Sequence, residues 1–499
     1  MAVILGIDVG TQSLKAVLLD TDRGCLFSGG AGYEILIPEI GYAEEEPESW
    51  WRALKEVLAK MKSSQPKEFD AIEVIGLSGQ MHGLVALDSN NDPLIPSIIW
   101  VDQRSKSQVE RINSAYSDTE LAALLHNRVF TGFGFPSLLW IKEERPEVFE
   151  RIHKVCCPKD YLRMKLTGGD IGTDMSDASS MTGFDLQNRR WSHEVLEKFG
   201  LSRELFPDCH ESTEIAGCVS DSAARETGLG KGIRIVYGSG DLAALLLGCG
   251  IYKEGMSAVN IGTGANYNCY SKEDRYDKKL RMQEFCNAVD RSYALAGAIL
   301  SGGLSLSWLK NKILNIESYA DVDRLASEAA PGSDGVVFLP YLGGERAPHM
   351  DYNATGVFFG LQHMHDKRHL CRAVLEGVTF ALKDAESLIE ENGVSNHRVV
   401  ACGGGARSPL WLQIQADIFE KEVVVTEMNE QAGLGACIIA GIGAGIFSSA
   451  QEGCESLVRY QERRYEPNSQ NTDIYRYRYE IYRSLYPSLK NIMRRNTSK

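Results

Sequence analysis

The chain has 499 residues, too many for one compact core, so two domains are expected. An apolar fraction of 43% and a charged fraction of 24% are those of an ordinary folded protein. The net charge of −14 excludes the basic surface that nucleic acid or an anionic membrane would need, but not a phosphate site built from backbone amides and a metal ion.

Taken in order, the first segment reads strand, turn, strand. Val3 to Asp8 is apolar, Gly10 and Thr11 turn, and Lys15 to Asp20 returns. Met1 to Leu5 is too short for a secretory leader, and an acidic Asp8 follows. A helix is expected from about Pro47 to Lys62, with Pro and Glu at its start. Ala71 to Leu77 reads as a strand that ends in Ser-Gly-Gln-Met-His-Gly. Leu84 to Leu87 and Ser97 to Trp100 read as short strands, and Ser105 to about Leu201 as mainly helical. Arg234 to Gly238 is a strand running into Gly-Ser-Gly-Asp at 238 to 241.

The pattern then begins again. Ala-Val-Asn-Ile-Gly-Thr-Gly-Ala at 258 to 265 echoes Leu-Gly-Ile-Asp-Val-Gly-Thr-Gln at 5 to 12. Strands follow at Val399 to Cys402 and Val423 to Thr426, then a Gly/Ala-rich helix near 432 to 446. The repeat implies a duplicated α/β domain with a cleft between the copies, divided near residue 245. The Lys/Arg-bearing tail after Pro487 is expected to be solvated. The longest apolar run, Leu434 to Phe447, carries four glycines and falls short of the ~20 residues of a membrane span. The 12 cysteines form no CxxC pair and read as buried reduced thiols in a cytoplasmic protein.

Several groups could carry chemistry. A Gly-Thr turn after a strand lets backbone amides face an anion, so Thr11 and Lys15 are candidates to touch phosphate oxygens. Asp8 is a candidate to hold Mg²⁺ through water, because a hard cation prefers oxygen ligands. A plain β-hairpin would carry the same residues. The second turn, Gly262-Thr263-Gly264, makes a pair that could grip one polyphosphate from two sides, and Gly403-Gly404-Gly405 is a third place for close backbone approach. Asp241 sits on a glycine-rich bend after a strand, at the sheet edge where α/β proteins bind ligands. It could accept the proton of an attacking hydroxyl, or merely cap the helix that Leu242-Ala-Ala-Leu begins. Gln80-Met81-His82-Gly83 could line a sugar pocket. Trp100-Val-Asp102-Gln-Arg104 offers an aromatic face for a sugar, or a local Asp–Arg salt bridge.

In this order the residues resemble the FGGY carbohydrate kinases, most closely their xylulokinase branch, from Gly6 to about Gly443. Gly-Val-Phe-Phe-Gly-Leu at 356 to 361, followed by His-Leu-Cys-Arg-Ala-Val-Leu-Glu at 369 to 376, is similar to that family's long second signature. Pro-Lys-Asp-Tyr-Leu-Arg at 158 to 163, Ser-Asp-Ala at 176 to 178, Phe-Leu-Pro-Tyr at 338 to 341, Gly-Glu-Arg-Ala-Pro-His at 344 to 349 and Gly-Gly-Gly-Ala-Arg-Ser at 403 to 408 extend it. Gly-Gln-Met-His-Gly at 79 to 83 marks the branch.

The resemblance implies an α/β fold of two actin/hexokinase-like (ribonuclease H-like) domains flanking a catalytic cleft. Residues 1–245 would bind the sugar and 246–499 the nucleotide. It implies ATP-dependent phosphorylation of D-xylulose to D-xylulose 5-phosphate, with Asp241 as general base. Met81, His82, Trp100 and Asp241 would line the sugar site. Thr11, Lys15, Thr263, Gly303 and Gly405 would serve the nucleotide, and Asp8 would lie near Mg²⁺. The implied partners are a small-molecule sugar and ATP, with no nucleic acid and no membrane, and a homodimer is left open. Rival readings are a family kinase for ribulose, glycerol, erythritol or gluconate, and a non-catalytic sugar or nucleotide sensor. The chain departs from the family at Gly134 and Ser137 in the first signature, at Ser239, and at Leu242, where xylulokinases usually have Asn. These departures bear on the sugar rather than on phosphoryl transfer.

Overall fold

A computed structural model describes residues 2–169 and 171–497. The first sheet is built on β1 (Val3–Val9), buried along nearly its whole length as a central strand must be. It pairs antiparallel with β2 (Ser13–Asp20), which pairs with β3 (Gly24–Gly32). On its other side β1 runs parallel to β4 (Ile72–Gly79). Beyond that lie β5 (Ile215–Cys218) and β6 (Arg234–Val236), in the order β5-β6-β4-β1-β2-β3, and the short strand Ser239–Gly240 also joins β4. Helix α1 (Pro47–Ser64) starts on Pro47 and buries Trp50, Trp51, Leu54, Val57, Leu58 and Met61 as one apolar face under this sheet.

The second sheet repeats the plan. Its strands are β7 (Met256–Ile261), β8 (Ala265–Ser271), β9 (Gln283–Cys286), β10 (Tyr293–Ile299), β11 (Arg398–Gly403) and β12 (Glu422–Val425), in the order β9-β10-β8-β7-β11-β12. Again the central strand is antiparallel to its hairpin partner, β8, and parallel to β11. The echo between the two Gly-Thr segments is therefore a structural equivalence. Asp8 faces Lys15 and Ser78 across its two neighbours, and Asn260 faces Asn266 and Cys402 across its own.

Between β4 and β6 the chain makes an insertion with its own core, which includes Leu84, Ile98, Phe135, Leu138, Met181 and Phe184. It contains α2 (Pro158–Thr167) and α3 (Met175–Ser180). The expected strands near 84 and 97 are present as Val85–Leu87 and Ser97–Ile98, but they form two-stranded ribbons outside the main sheet.

Two helices cross between the sheets. Helix α4 (Asp241–Gly248) follows the first sheet in sequence, yet Leu246 and Cys249 at its end pack with Ala258, Val400 and Val424 of the second. Helix α5 (Gln431–Gly443) follows the second sheet, yet Leu434, Ile438 and Ala440 pack with Ile4, Val17 and Val74 of the first. The expected boundary near residue 245 falls inside α4. The two helices touch backbone to backbone. A Cβ on Gly435 would lie 1.8 Å from the Ala244 carbonyl oxygen, and one on Gly248 would lie 1.8 Å from that of Gln431. The Gly/Ala richness of the 432–446 segment thus reflects a helix crossing.

The tail after Pro487 is mostly exposed, as expected, with Met493 the one buried residue of 488–497. It continues a helix over Ser469–Thr497 that contains Pro487 and, before the proline, buries Tyr475, Tyr482, Leu485 and Tyr486. Residues 498 and 499 of that tail, like Met1, lie outside the described residues. Among the described residues no helix is long and apolar enough to cross a membrane. All 12 cysteines are free thiols, most of them buried.

Because no relaxation short of separating the helices makes room for a methyl group, Gly435→Ala is expected to destabilise the protein by at least ~1–3 kcal/mol. The checks are a lowered thermal midpoint and a matching loss of activity.

Candidate functional site

The cleft between the sheets holds three adjoining cavities. The inner one, about 180 Å³, is walled by Met81, His82, Trp100, Phe133 and Asp241 from the first half of the chain and by Phe285 and Arg346 from the second. The middle one, about 300 Å³, is lined by Asp8, Lys15, Asp241, Asn260, Gly403 and Glu430. The outer one, about 530 Å³, is lined by Thr263, Gly303, Tyr319, Asp323, Gly405 and Trp411. Asp241 opens onto both the inner and the middle cavity. Gly403 lines the middle cavity and Gly404 the outer one, so the third glycine stretch joins them. Gly403 has φ +71°, and a Cβ there would fall 2.4 Å from the Asn260 side-chain oxygen, so no other residue type fits this turn.

Asp241 is the first residue of α4, with Gly240 as N-cap. The capping reading of the sequence therefore does not hold: Asp241 begins the helix without capping it. Its carboxyl is pushed up to about 7, first by burial and then by the negative charge of Asp8, against the pull of the first-turn amides of Asp241 and Leu242. Asp8 is also raised, chiefly by burial, although Ser78 Oγ donates a 3.0 Å hydrogen bond to its Oδ1 and Lys15 is near. Two carboxylates and the Asn260 amide make the middle cavity rich in hard oxygen donors, a set that suits Mg²⁺ completed by water and phosphate.

A buried ionic network holds the Asp241 bend from behind. The Gly240 N–H donates to Ser176 Oγ at 2.9 Å, and Ser176 Oγ donates to Asp174 at 2.5 Å. Asp174 pairs with Lys159 Nζ at 2.9 Å, and Lys159 also meets Asp160 at 2.6 Å and Asp177 at 3.1 Å. Arg163 reaches Asp160 at 2.8 Å. Burial works against Asp160 ionising, but Lys159 and Arg163 outweigh it and hold its carboxyl below the usual range. Burial, and after it the neighbouring Asp174 and Asp160, push the Asp177 carboxyl well up despite Lys159. The motif segments 158–163 and 176–178 are thus the foundation of the bend.

The other expected residues divide. Met81 is buried and packs toward Gly240. The His82 ring stacks on Phe133 at 3.9 Å, and Nδ1 lies 2.7 Å from the Ser180 carbonyl, which requires a proton on Nδ1. Burial depresses its pKa to about 4, so the imidazole is neutral with Nε2 left as an acceptor. Trp100 borders the inner cavity, and its indole N–H donates to Thr11 Oγ1 at 2.9 Å. Thr11 is therefore engaged with the inner wall, and Lys15 pairs with Glu430 at 2.7 Å. Thr263, Gly303 and Gly405 meet around the outer cavity, where the Gly303 N–H donates to the Gly262 carbonyl at 2.9 Å. The Asp102–Arg104 pair is a local salt bridge of 2.8 Å, with Arg104 also on Glu44 and stacked on Tyr42.

Sequence reasoning missed Phe133, Asn260, Asn266, Asn268, Gln283, Phe285, Arg346 and Glu430. One signal was available: in Ala265-Asn-Tyr-Asn-Cys269 two asparagines alternate with apolar residues, which marks a strand with one polar, ligand-facing side.

The comparisons with known proteins agree with this geometry. Residues 3–248 match the N-terminal domain of the FGGY family of carbohydrate kinases, and residues 257–444 match its C-terminal domain. The chain is 35% identical over 493 residues to the xylulose kinase of Lactococcus lactis, covering 99% of this chain and 98% of that one. The crystal structure of a xyloylose kinase from Brucella ovis superposes with a TM-score of 0.92 at 34% identity, covering 98% of this chain and 99% of that one. A gluconate kinase from Lactobacillus acidophilus gives the same TM-score of 0.92 at 28% identity, covering 98% of each chain. The backbone shape therefore does not by itself separate one sugar from another. Family matches over both halves, on a two-lobed fold with an interdomain cleft, establish that this chain belongs to the FGGY family of carbohydrate kinases.

Proposed function

We propose that the protein transfers the γ-phosphoryl group of ATP to the terminal hydroxyl of D-xylulose, giving D-xylulose 5-phosphate. The observation that carries this reading is the position of Asp241, whose carboxyl is shared by the inner and middle cavities. A hydroxyl held in the inner cavity and a phosphate held in the middle one would meet beside it. Residues 1–245 form the lobe we assign to the sugar, and residues 246–499 the lobe we assign to the nucleotide.

The ketose lies against Met81, Trp100 and the stacked His82–Phe133 pair. His82 Nε2 accepts from a sugar hydroxyl, because its other nitrogen is committed to Ser180. The nucleotide occupies the outer cavity at Thr263, Gly303 and Gly405, with its phosphates reaching toward Thr11 and Lys15. Asp241 takes the proton of the terminal hydroxyl as that oxygen attacks in line. A carboxyl poised near 7 is well matched to a base that works at neutral pH. Asp8 is the carboxylate we assign to Mg²⁺, which would supply charge neutralisation of the transferring phosphates. Closure of the cleft excludes water as a competing acceptor. The compartment we propose is the cytoplasm, whose reducing state suits a chain of free thiols.

One observation favours a second substrate class. The Arg346 guanidinium borders the inner cavity, and its Nε is buried without a partner, so it would suit the carboxylate of a sugar acid such as gluconate. A coupled ADP-release assay over xylulose, ribulose, glycerol, erythritol and gluconate decides. The expected result is the highest kcat/KM on xylulose. Sugar binding with no stimulated ADP release would return the protein to the sensor reading.

Asp241→Ala is expected to lower kcat by at least ~10²-fold with the thermal midpoint retained. A variant that kept near-normal turnover would refute the general-base assignment.

The wild-type kcat/KM should rise with pH through about 7, as Asp241 loses its proton. Asp8→Asn removes the charge that helps raise Asp241, so the acidic limb of the residual activity should move to lower pH. Stability should follow the opposite sign. The folded-state value near 7 lies above the ordinary 3.8, so the stabilising effect of the protonated carboxyl is present at low pH and is lost as pH rises toward 7 and beyond. Asp241→Asn, which does not ionise, should therefore unfold at a higher temperature than the wild type at pH 8, with a smaller gap at pH 5 that closes only below about 3.8. Calorimetry at the two pH values checks this.

A further inference from the structure

Asn268 on β8 and Gln283 on β9 are 3% and 7% exposed. Both line the inner cavity. The Asn268 side-chain oxygen and the Gln283 side-chain nitrogen are buried without any hydrogen-bond partner. An unpaired buried amide destabilises the fold, so neither residue is explained by packing. Their placement points to a ligand. In the sheet, Asn268 is directly opposite Ala296 of β10, and Ala296 is directly opposite Gln283. The row reads amide, methyl, amide on one face, with Ala298 and Asn266 as the next pair along. The two alanines leave open the space that larger side chains would fill. Strands about 4.8 Å apart place the two amides roughly 10 Å apart at their backbones, wide enough to straddle a chain of a few hydroxyl-bearing carbons. Leu242, beside the base in the same cavity, contributes no polar atom.

We infer that Asn268 and Gln283 are specificity-determining residues, each reading a non-reacting hydroxyl of the sugar. Asn268 accepts from one sugar O–H and Gln283 donates to another sugar oxygen. An amide turned end for end still offers the complementary bond, since a hydroxyl both donates and accepts. The sugar is thereby gripped from both lobes, by Met81, His82 and Trp100 on one side and by two amides of the second sheet on the other. Full recognition requires the lobes to be together. This rests on the ketose reading of the inner cavity and extends it to the second half of the chain.

The test uses Asn268→Leu and Gln283→Met in the full chain. Each replaces an unpaired polar atom by an apolar one of similar size, so the ligand-free thermal midpoint should stay or rise. The KM for xylulose should rise about ten- to a hundredfold, by a larger factor than the KM for ATP and with kcat less affected. Wild-type enzyme should discriminate strongly against the deoxy analogue of xylulose that lacks the hydroxyl being read, and the matching variant should lose that discrimination. Quenching of tryptophan fluorescence by xylulose without ATP reads the same loss of affinity, whether or not phosphoryl transfer follows. Variants with wild-type xylulose affinity and wild-type discrimination against every deoxy analogue would overturn the inference. So would a lowered midpoint with discrimination intact, which would make the amides structural. Either result can occur while the wild type phosphorylates xylulose in the substrate panel, so the inference can fail with the kinase reading standing. A wild type that binds xylulose through these amides without transferring phosphate would fail the kinase reading alone.

Discussion

The contact between the backbones of α4 and α5 sets the geometry of the whole site. Helix α4 follows the first sheet in sequence and α5 the second, and each packs on the sheet of the other. Their approach at Gly435 and Ala244, and at Gly248 and Gln431, leaves no side chain between them. Since α4 begins with Asp241, its crossing fixes how far that residue projects into the cleft. The Ser176–Asp174–Lys159 network fixes the residue just before it. A base pinned on two sides loses little freedom when a substrate arrives, which is the condition for efficient proton transfer at a set distance. The duplication also matters here. Asp8 and Asn260 occupy the same place in the two halves, and the crossing turns both toward one cavity.

The electrostatics follow from that enclosure. Among the described residues lining the middle cavity, Lys15 is the single cation, and Glu430 already neutralises it. The remaining charged groups are carboxylates, Asp8 and Asp241. Such a cavity repels a naked polyphosphate. It would suit one that brings its own divalent cation and meets backbone amides at the Gly-Thr and Gly-Gly-Gly turns. The same absence of free cations lets Asp8 raise Asp241 toward neutrality. His82, by contrast, is kept neutral by burial, so the charged groups of the inner cavity are Asp241 and Arg346. The two cavities therefore differ in kind. The inner one adds an imidazole, amides and one guanidinium, the middle one carboxylates and a paired lysine, and one carboxyl stands between them.

Much of this was legible in the sequence because it is local. A strand ending in Gly-Thr, a repeat of that pattern, and a carboxylate on a glycine bend each occupy a few consecutive residues. They gave the two-sheet plan, the cleft and Asp241. What was not legible depends on partners far apart in sequence. The Trp100 indole donates to Thr11, 89 residues away, and no local pattern announces that contact. Lys159, Asp160 and Asp177 could be quoted as a motif without a reason, because the reason is a buried charge balance that closes only in three dimensions. The amides of β8 and β9 gain meaning only from their register with Ala296 on a third strand. The tail after Pro487 is largely exposed, as its Lys and Arg residues implied, but the helix that carries it was not read from the sequence: Tyr475, Tyr482 and Tyr486 mark its apolar face, and it runs through the proline.

The unpaired amides also bear on how such an enzyme avoids spending ATP on water. Each buried amide atom without a partner costs about 1–3 kcal/mol in the ligand-free protein. A sugar with hydroxyls at the right spacing would relieve both costs within the second lobe, and would also touch Met81, His82 and Trp100 of the first lobe only when the two walls face each other. A lone water can satisfy one amide but cannot link the two lobes. The free energy released by the correct sugar is therefore tied to the closed arrangement, in which Asp241 is shielded and the phosphate is within reach. Water near Asp241 meets the same base without that stabilisation. Selection among sugars and suppression of hydrolysis would then both follow from an inner cavity whose walls come from two lobes.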